Sequence, residues 1–333
     1  MQKKAKDFLR GLILAAVAVL LLYFCFREVQ WNEFLYGLRT CRWWYLLPAA
    51  GCAIVIMILR GLRWRMQLLT LDPSTKRITC YNAYAICMVS NMVVPRAGEF
   101  IRCAYVSRHS ALDREGKKLA PVDKVLGSMV ADRLCDTAAG IVLIIITFGL
   151  MWNRFGDFLE RTVFTRMKGS VALAIIAAAA VAIAVLFIFL CWKFRARGKF
   201  WNAVWNFLAR AFEGVKSIFH IRSGWLYLLY TALIWTVYWM ASFFVMKSIP
   251  ALDGLGPADA LFLTCIGSIS SVVPVPGGFG AFHWLVASGI SSIYGLPFET
   301  TGILFATLSH ETNVLTQILL GTEAYIHESL RKK

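Results

Sequence analysis

Apolar residues in this chain gather into runs of about 20, separated by short basic stretches. Roughly 20 such residues cross a hydrocarbon core about 30 Å thick. The spacing predicts full spans over about 8–26, 44–66, 122–151, 169–192, 224–247 and 298–326, with Asp123 capping the third. Two further apolar segments, about 79–95 and 258–275, are too short to cross and run into turns at Pro95 and at Pro274–Gly280. Over 200–221, Trp201, Val204, Trp205, Leu208, Phe212, Val215 and Phe219 recur at helical spacing opposite polar residues, which predicts a basic amphipathic helix in the interface.

The two interrupted segments match. Val93-Val94-Pro95 and Val272-Val273-Pro274 are related by an offset of 179 residues, which also pairs Gly98 with Gly277 and Phe100 with Phe279. Each repeat, about 8–151 and about 169–326, then holds three full crossings. An odd number inverts one copy relative to the other, so the breaks enter from opposite sides and can meet at mid-bilayer. Paired interrupted segments of this kind point to a binding site between transporter repeats. The expected architecture is all-α: a single polytopic membrane domain of six spans and two re-entrant segments in two inverted repeats.

Composition agrees, being 59% hydrophobic. The net charge of +16 raises nucleic acid as a partner, but the basic residues lie between apolar runs. With both termini cytoplasmic, 26 Lys and Arg fall on the cytoplasmic side and 8 outside. That is the positive-inside bias of a membrane protein, and no nucleic-acid partner is expected. Nine cysteines form no CxxC pair and no Cys/His cluster, so neither a disulfide framework nor a metal site is expected. The glycine-rich run Pro274–Ala281 lacks the Lys-Ser/Thr of a phosphate-binding loop, and no Ser/His/Asp, Cys/His or HExxH arrangement occurs. No catalytic residue or cofactor follows from the sequence.

Candidate chemistry collects at the breaks. Asn91, Pro95, Arg96, Gly98, Glu99 and Arg102 surround the first, and Pro276, Gly277 and Gly278 form the second. Arg presents a planar fork matched to phosphate. The expectation is therefore that Arg96 and Arg102 hold a phosphate, with Glu99 restraining one of them. A helix starting near Gly98 would add open N–H groups. Asp132, Arg133 and Asp136 lie about ten residues into a span, where ionisable groups suggest function. Arg133 is spaced to pair with Asp136 at i+3. Adding 179 to 132 gives Glu311, beside His310, and these residues could gate the site or carry protons. A buried structural ion pair is the equal alternative. His283, after the second turn, reads as a packing residue or as the partner of His310.

The elements Asn91-x-x-x-Pro95-Arg96-x-Gly98-Glu99-x-x-Arg102, Asp132-Arg133-x-x-Asp136 and Pro274-x-Pro276-Gly277-Gly278-x-Gly280 resemble the flippase-like lysylphosphatidylglycerol synthase transmembrane family over about residues 10–325. Where relatives carry Glu-Arg, this chain carries Asp132-Arg133, with a shorter reach. The resemblance implies a membrane unit that flips aminoacylated phosphatidylglycerol and in lipid-modifying relatives is fused to a soluble aminoacyl-transferase domain. These 333 residues show no such domain, so aminoacyl transfer is not implied. The expected function is a flippase or transporter of an anionic lipid, such as a phosphatidylglycerol derivative or a polyprenyl phosphate, in a bacterial inner membrane. The alternative is a membrane enzyme, or the membrane partner of one that modifies lipid-linked sugars or headgroups.

Overall fold

The computed structural model describes residues 29–151, 223–271, 273 and 275–331, and the single positions 19, 20, 23, 26, 27, 193, 202, 205 and 221. The predicted spans 8–26 and 169–192 and the amphipathic helix 200–221 lie largely outside the described residues. Within them the structure is helical: α1 (Trp31–Thr40), α2 (Leu46–Leu68), α3 (Arg77–Val93), α4 (Ala97–Arg108), α5 (Val122–Leu150), α6 (Gly224–Ser248), α7 (Pro257–Ser270), α8 (Ala281–Tyr294) and α9 (Ile303–Arg331). Short 3₁₀ turns at Trp43–Tyr45, Pro250–Leu252 and Pro276–Gly278, and a π-helical turn at Phe298–Gly302, join some of them.

Two helical stretches, Trp43–Leu68 with 26 residues and Gly224–Ser248 with 25, are long and apolar enough to cross a membrane. α3 and α7, at 17 and 14 residues, are about 26 and 21 Å long at 1.5 Å per residue, and both fall short. Leu47, Val55 and Ile58 on α2, Ile141, Val142 and Ile145 on α5, and Trp225, Leu228 and Leu229 on α6 are all exposed. Such outward apolar faces suit lipid as the surrounding solvent.

α2 and α6 pack side by side and antiparallel, because opposite ends meet. At one end the Arg42 N–H donates to the Ser248 carbonyl at 2.9 Å and the Arg42 guanidinium pairs with Asp253. At the other, Gln67 donates to the Tyr227 hydroxyl at 2.9 Å. α3 and α4 form one hairpin around the first break, and α7 and α8 another around the second. The far end of α9 closes on the first hairpin: Tyr81 donates to Glu323 at 3.0 Å and Tyr105 to Glu328 at 2.8 Å.

Shifting α2 by 179 positions lays 225–247 over α6 (224–248), and α5 so shifted lays 301–329 over α9 (303–331). α3 shifted gives 256–272 against α7 (257–270). The register slips only after the breaks: α4 shifted gives 276–287, whereas α8 begins at 281. A second difference is the start of α5, where Pro121 occupies the cap position and Asp123, in the first turn, makes no capping bond. Pro121 is extended, with ψ at 158°, and its carbonyl accepts the first helical bond, from the Val125 N–H at 3.1 Å.

Outside the spans, Asp72 ties the α2–α3 connection to the segment after α4. Its carboxylate accepts from the Ser74 N–H at 2.9 Å, the Ser74 hydroxyl at 2.6 Å, the Ser110 hydroxyl at 2.9 Å and the Ala111 N–H at 2.8 Å. Burial alone would raise this carboxyl, but the four hydrogen bonds outweigh it and hold it below the usual carboxylate range. A depressed folded value contributes stability above the unfolded pKa that is lost as pH falls through the folded one. Asp72→Ala should therefore lower stability by about 1–3 kcal/mol near neutral pH. It should also flatten the decline in unfolding midpoint between about pH 5 and pH 3, as read by thermal unfolding in detergent.

Candidate functional site

At the first break, α3 ends at Val93, Val94 is extended, and Arg96 takes a left-handed conformation at φ 61° before α4 begins at Ala97. A non-glycine residue there is held at a cost and marks a place worth a functional question. The hairpin is closed by close approach and one side chain. The Asn91 side-chain oxygen accepts the Gly98 N–H at 2.8 Å. A Cβ on Gly98 would lie 2.1 Å from the Cys87 carbonyl oxygen, so glycine is required there. The Ala97 N–H already donates to the Val94 carbonyl at 3.1 Å. The expected ring of open N–H groups at the start of α4 is thus half closed, and Asn91 and Gly98 act as its latch.

Beneath the break lies a cluster of charges. Arg63, Arg102 and Asp132 are all 0% exposed. Arg63 donates to Asp132 through Nε at 3.1 Å and Nη2 at 2.8 Å, and to the Thr231 hydroxyl at 3.2 Å. The Tyr84 hydroxyl donates to the second Asp132 oxygen at 2.6 Å. Arg63 and Arg60 also approach Asp136 at 2.6 and 3.1 Å, close enough for charge pairing but without hydrogen-bond alignment. Arg102 sits between the rings of Trp64 and Tyr84, 4.5 and 4.4 Å from their centroids, with its nearest charge on Asp132 at 3.8 Å. No guanidinium nitrogen of Arg102 makes a hydrogen bond. Three guanidinium groups against two carboxylates leave one positive charge in excess.

This arrangement revises three pairings read from spacing. Arg133 pairs with Glu99 at 2.9 Å rather than with Asp136, because Asp136 faces α2 and Arg133 faces α4. Glu99 therefore restrains Arg133, not Arg102. Arg102, enclosed by two aromatic rings, is a support beneath the turn and has no face open to a headgroup. Arg96, in contrast, is exposed. The partners that sequence reasoning missed are Arg63, Trp64 and Tyr84. Their signal was present in Arg60-x-x-Arg63, two cations one turn apart facing Asp132 and Asp136, which read instead as inside anchors.

At the second break, Pro276, Gly277 and Gly278 form a half-buried turn in which Gly277 and Gly278 have φ of 59° and 81°. The end of α3 packs on this turn, and a Cβ on Gly277 would lie 3.8 Å from the Met92 Cα. The two breaks thus touch. His310 places Nε2 3.0 Å from the Gly277 carbonyl and Nδ1 3.0 Å from Glu311 Oε1. His283 Nε2 is 3.7 Å from the same oxygen. The sequence-predicted residues therefore separate into two groups, Asn91–Arg102 with Asp132–Asp136, and Pro276–Gly278 with His310 and Glu311. An apolar cavity of about 580 Å³ between α5, α6 and α7 lies away from both, linked to the charge cluster only through Thr231.

The chain belongs to the lysylphosphatidylglycerol synthase TM-region family. The match covers residues 9–321 and includes both breaks and the charge cluster. Comparison with curated proteins and with solved structures gave no match. Membership makes this a membrane protein of lipid modification or transport.

Three predictions come from the packing. Asp132→Asn leaves the buried guanidinium groups of Arg60, Arg63 and Arg102 with Asp136 as the one remaining carboxylate of the cluster and should cost about 3–5 kcal/mol, whereas an Arg63→Met/Asp132→Leu pair should recover most of that loss. Asn91→Ala should cost about 1 kcal/mol and Asn91→Asp less. Gly98→Ala should abolish recovery of monodisperse protein. Unfolding midpoints and size-exclusion profiles of the purified variants check all of these.

Proposed function

We propose that this protein moves an anionic lipid across a bacterial inner membrane, with both termini cytoplasmic, six full spans and two re-entrant segments in two inverted repeats. The cargo class is a phospholipid such as a phosphatidylglycerol derivative, or a polyprenyl phosphate. The contact between the two breaks, at Met92 and Gly277, carries this reading. Interrupted helices meeting inside a membrane protein leave backbone that must be shielded by protein or line a wet cavity. The first break also presents Arg96 as an exposed residue, and the cluster that holds its hairpin carries one positive charge in excess, which favours an anionic headgroup. In this reading Arg96 contacts phosphate, Arg102 shapes the turn from below, and the second-break glycines allow close backbone approach. Asp132 and Asp136 fix the first hairpin, and Glu311 with His310 acts on the second, as a gate or a proton carrier.

The family description supports a second reading. It names the membrane region of a synthase, so the chain could instead serve as the membrane partner of a lipid-modifying enzyme.

Arg96→Gly separates function from folding. It removes the guanidinium and relieves the left-handed strain, and the strain relief of about 1 kcal/mol offsets the side-chain contacts that are lost. In liposomes of defined composition, the wild-type protein should move labelled phosphatidylglycerol faster than phosphatidylcholine, and Arg96→Gly should lose that preference. Equal movement of both lipids by both proteins would remove Arg96 from the site. No movement of phosphatidylglycerol or of a polyprenyl phosphate by the wild-type protein would favour the enzyme-partner reading.

A further inference from the structure

The second break holds a side-chain cluster whose hydrogen-bond accounting does not close while its imidazoles are neutral. His283 lies in the first turn of α8 and is 1% exposed, and His310, on α9, is 7% exposed. The ligating atoms of His283, His310 and Glu311 lie within 4.8 Å of one another. The Gly277 carbonyl can only accept, so His310 Nε2, 3.0 Å away, carries the hydrogen. In the neutral ring Nδ1 is then a bare lone pair. It sits 3.0 Å from Glu311 Oε1, which is also an acceptor. Two lone pairs at that distance repel unless a positive centre lies between them.

His283 deepens the deficit. Its Nε2 is directed at the same Glu311 oxygen but at 3.7 Å, too far for a hydrogen bond. Its Nδ1 is buried and has no partner. Phe279 and Phe282 wall His310 at 4.8 and 5.3 Å between centroids, and Phe26 lies 5.7 Å from His283. Among the described residues Glu311 forms ion pairs only with these two histidines, and no Lys or Arg supplies the missing charge.

We propose that His283, His310 and Glu311 bind a divalent transition-metal ion, of which Zn²⁺ is the fitting probe. Zinc–ligand bonds of about 2.0–2.2 Å place neighbouring ligand atoms roughly 3.3 Å apart on a tetrahedron; the two distances to Glu311, 3.0 and 3.7 Å, bracket that spacing, and all three atoms lie within 4.8 Å, so the histidines close in by a small shift when the ion binds. Two imidazoles and one carboxylate suit zinc and similar ions, whereas Ca²⁺ and Mg²⁺ take oxygen sets. The bond from His310 Nε2 to the Gly277 carbonyl is the outer contact that orients a metal-binding imidazole and fixes its tautomer. Three protein ligands leave a fourth position for water or a ligand oxygen. Glu311, whose side chain is 38% exposed, provides the way in. The ion joins α8 to α9, and His310 carries that link to the turn of the second break. Sequence reading expected no metal because residues 283, 310 and 311 follow no ligand motif; the turn and two helices assemble them.

The test uses full-length, tag-free protein stripped with a chelator and then titrated with Zn²⁺ and with Co²⁺. Wild-type protein should retain a single ion per chain by mass spectrometry of metals and show the visible bands of tetrahedral Co²⁺. Its unfolding midpoint should rise with Zn²⁺ and not with Mg²⁺. Glu311→Gln and His310→Gln should each weaken binding at least about ten-fold, and His327→Gln, at the far end of α9, should leave it unchanged. If the wild-type protein binds no more metal than the His310→Gln/Glu311→Gln double variant and gains no thermal stability from Zn²⁺, the proposal fails. Should Glu311→Gln not fold, His283→Gln gives the same reading, because it removes a ligand while leaving the His310–Glu311 contact in place.

Discussion

A guanidinium and a carboxylate removed from water stay charged only beside each other, and the first half of this protein is built around that constraint. Arg63 and Asp132 are fully buried and doubly hydrogen-bonded. Their remaining contacts reach Tyr84 on α3 and Thr231 on α6, and Arg102 on α4 lies 3.8 Å away. Five helices are therefore positioned by one pair of charges. Moving any of them uncovers a charge or leaves a donor unmade, so the cluster fixes geometry even where its net contribution to stability is small.

The breaks are the complementary problem. Backbone released from a helix inside hydrocarbon needs partners from elsewhere in the protein. The first break finds them in the Asn91 side chain and the Val94 carbonyl, the second in His310. Both solutions depend on close approach, through Gly98 in one hairpin and the positive-φ glycines of 277–280 in the other. The charge cluster holds the first hairpin from below and α9 braces both, touching the second near its start and the first near its end. Contact between the tips is thus the outcome of two separately anchored hairpins.

For an anionic headgroup the two halves offer different things. The first supplies positive charge, some of it locked away and some presented at a strained turn. The second break supplies imidazoles, a carboxylate and unhindered backbone, and among the described residues no Lys or Arg pairs with Glu311.

Much of the architecture followed from the sequence. Run lengths gave α2, α5, α6 and α9 to within about five residues, and for α2 and α6, which are long and apolar enough to cross a membrane, that length is one the bilayer thickness sets. The breaks were legible because Pro and Gly end helices through local sterics, and the offset of 179 because it is arithmetic on letters. The pairing of charges was not. Helical spacing places Arg133 near Asp136 and Arg102 near Glu99, yet the energy of a buried ion pair depends on which helix lies opposite. Only tertiary packing turned Arg133 to Glu99, Arg63 to Asp132, and Arg102 in between two aromatic rings. The same holds for His283, His310 and Glu311, which no local spacing joins and which the turn at Gly277 brings to one point.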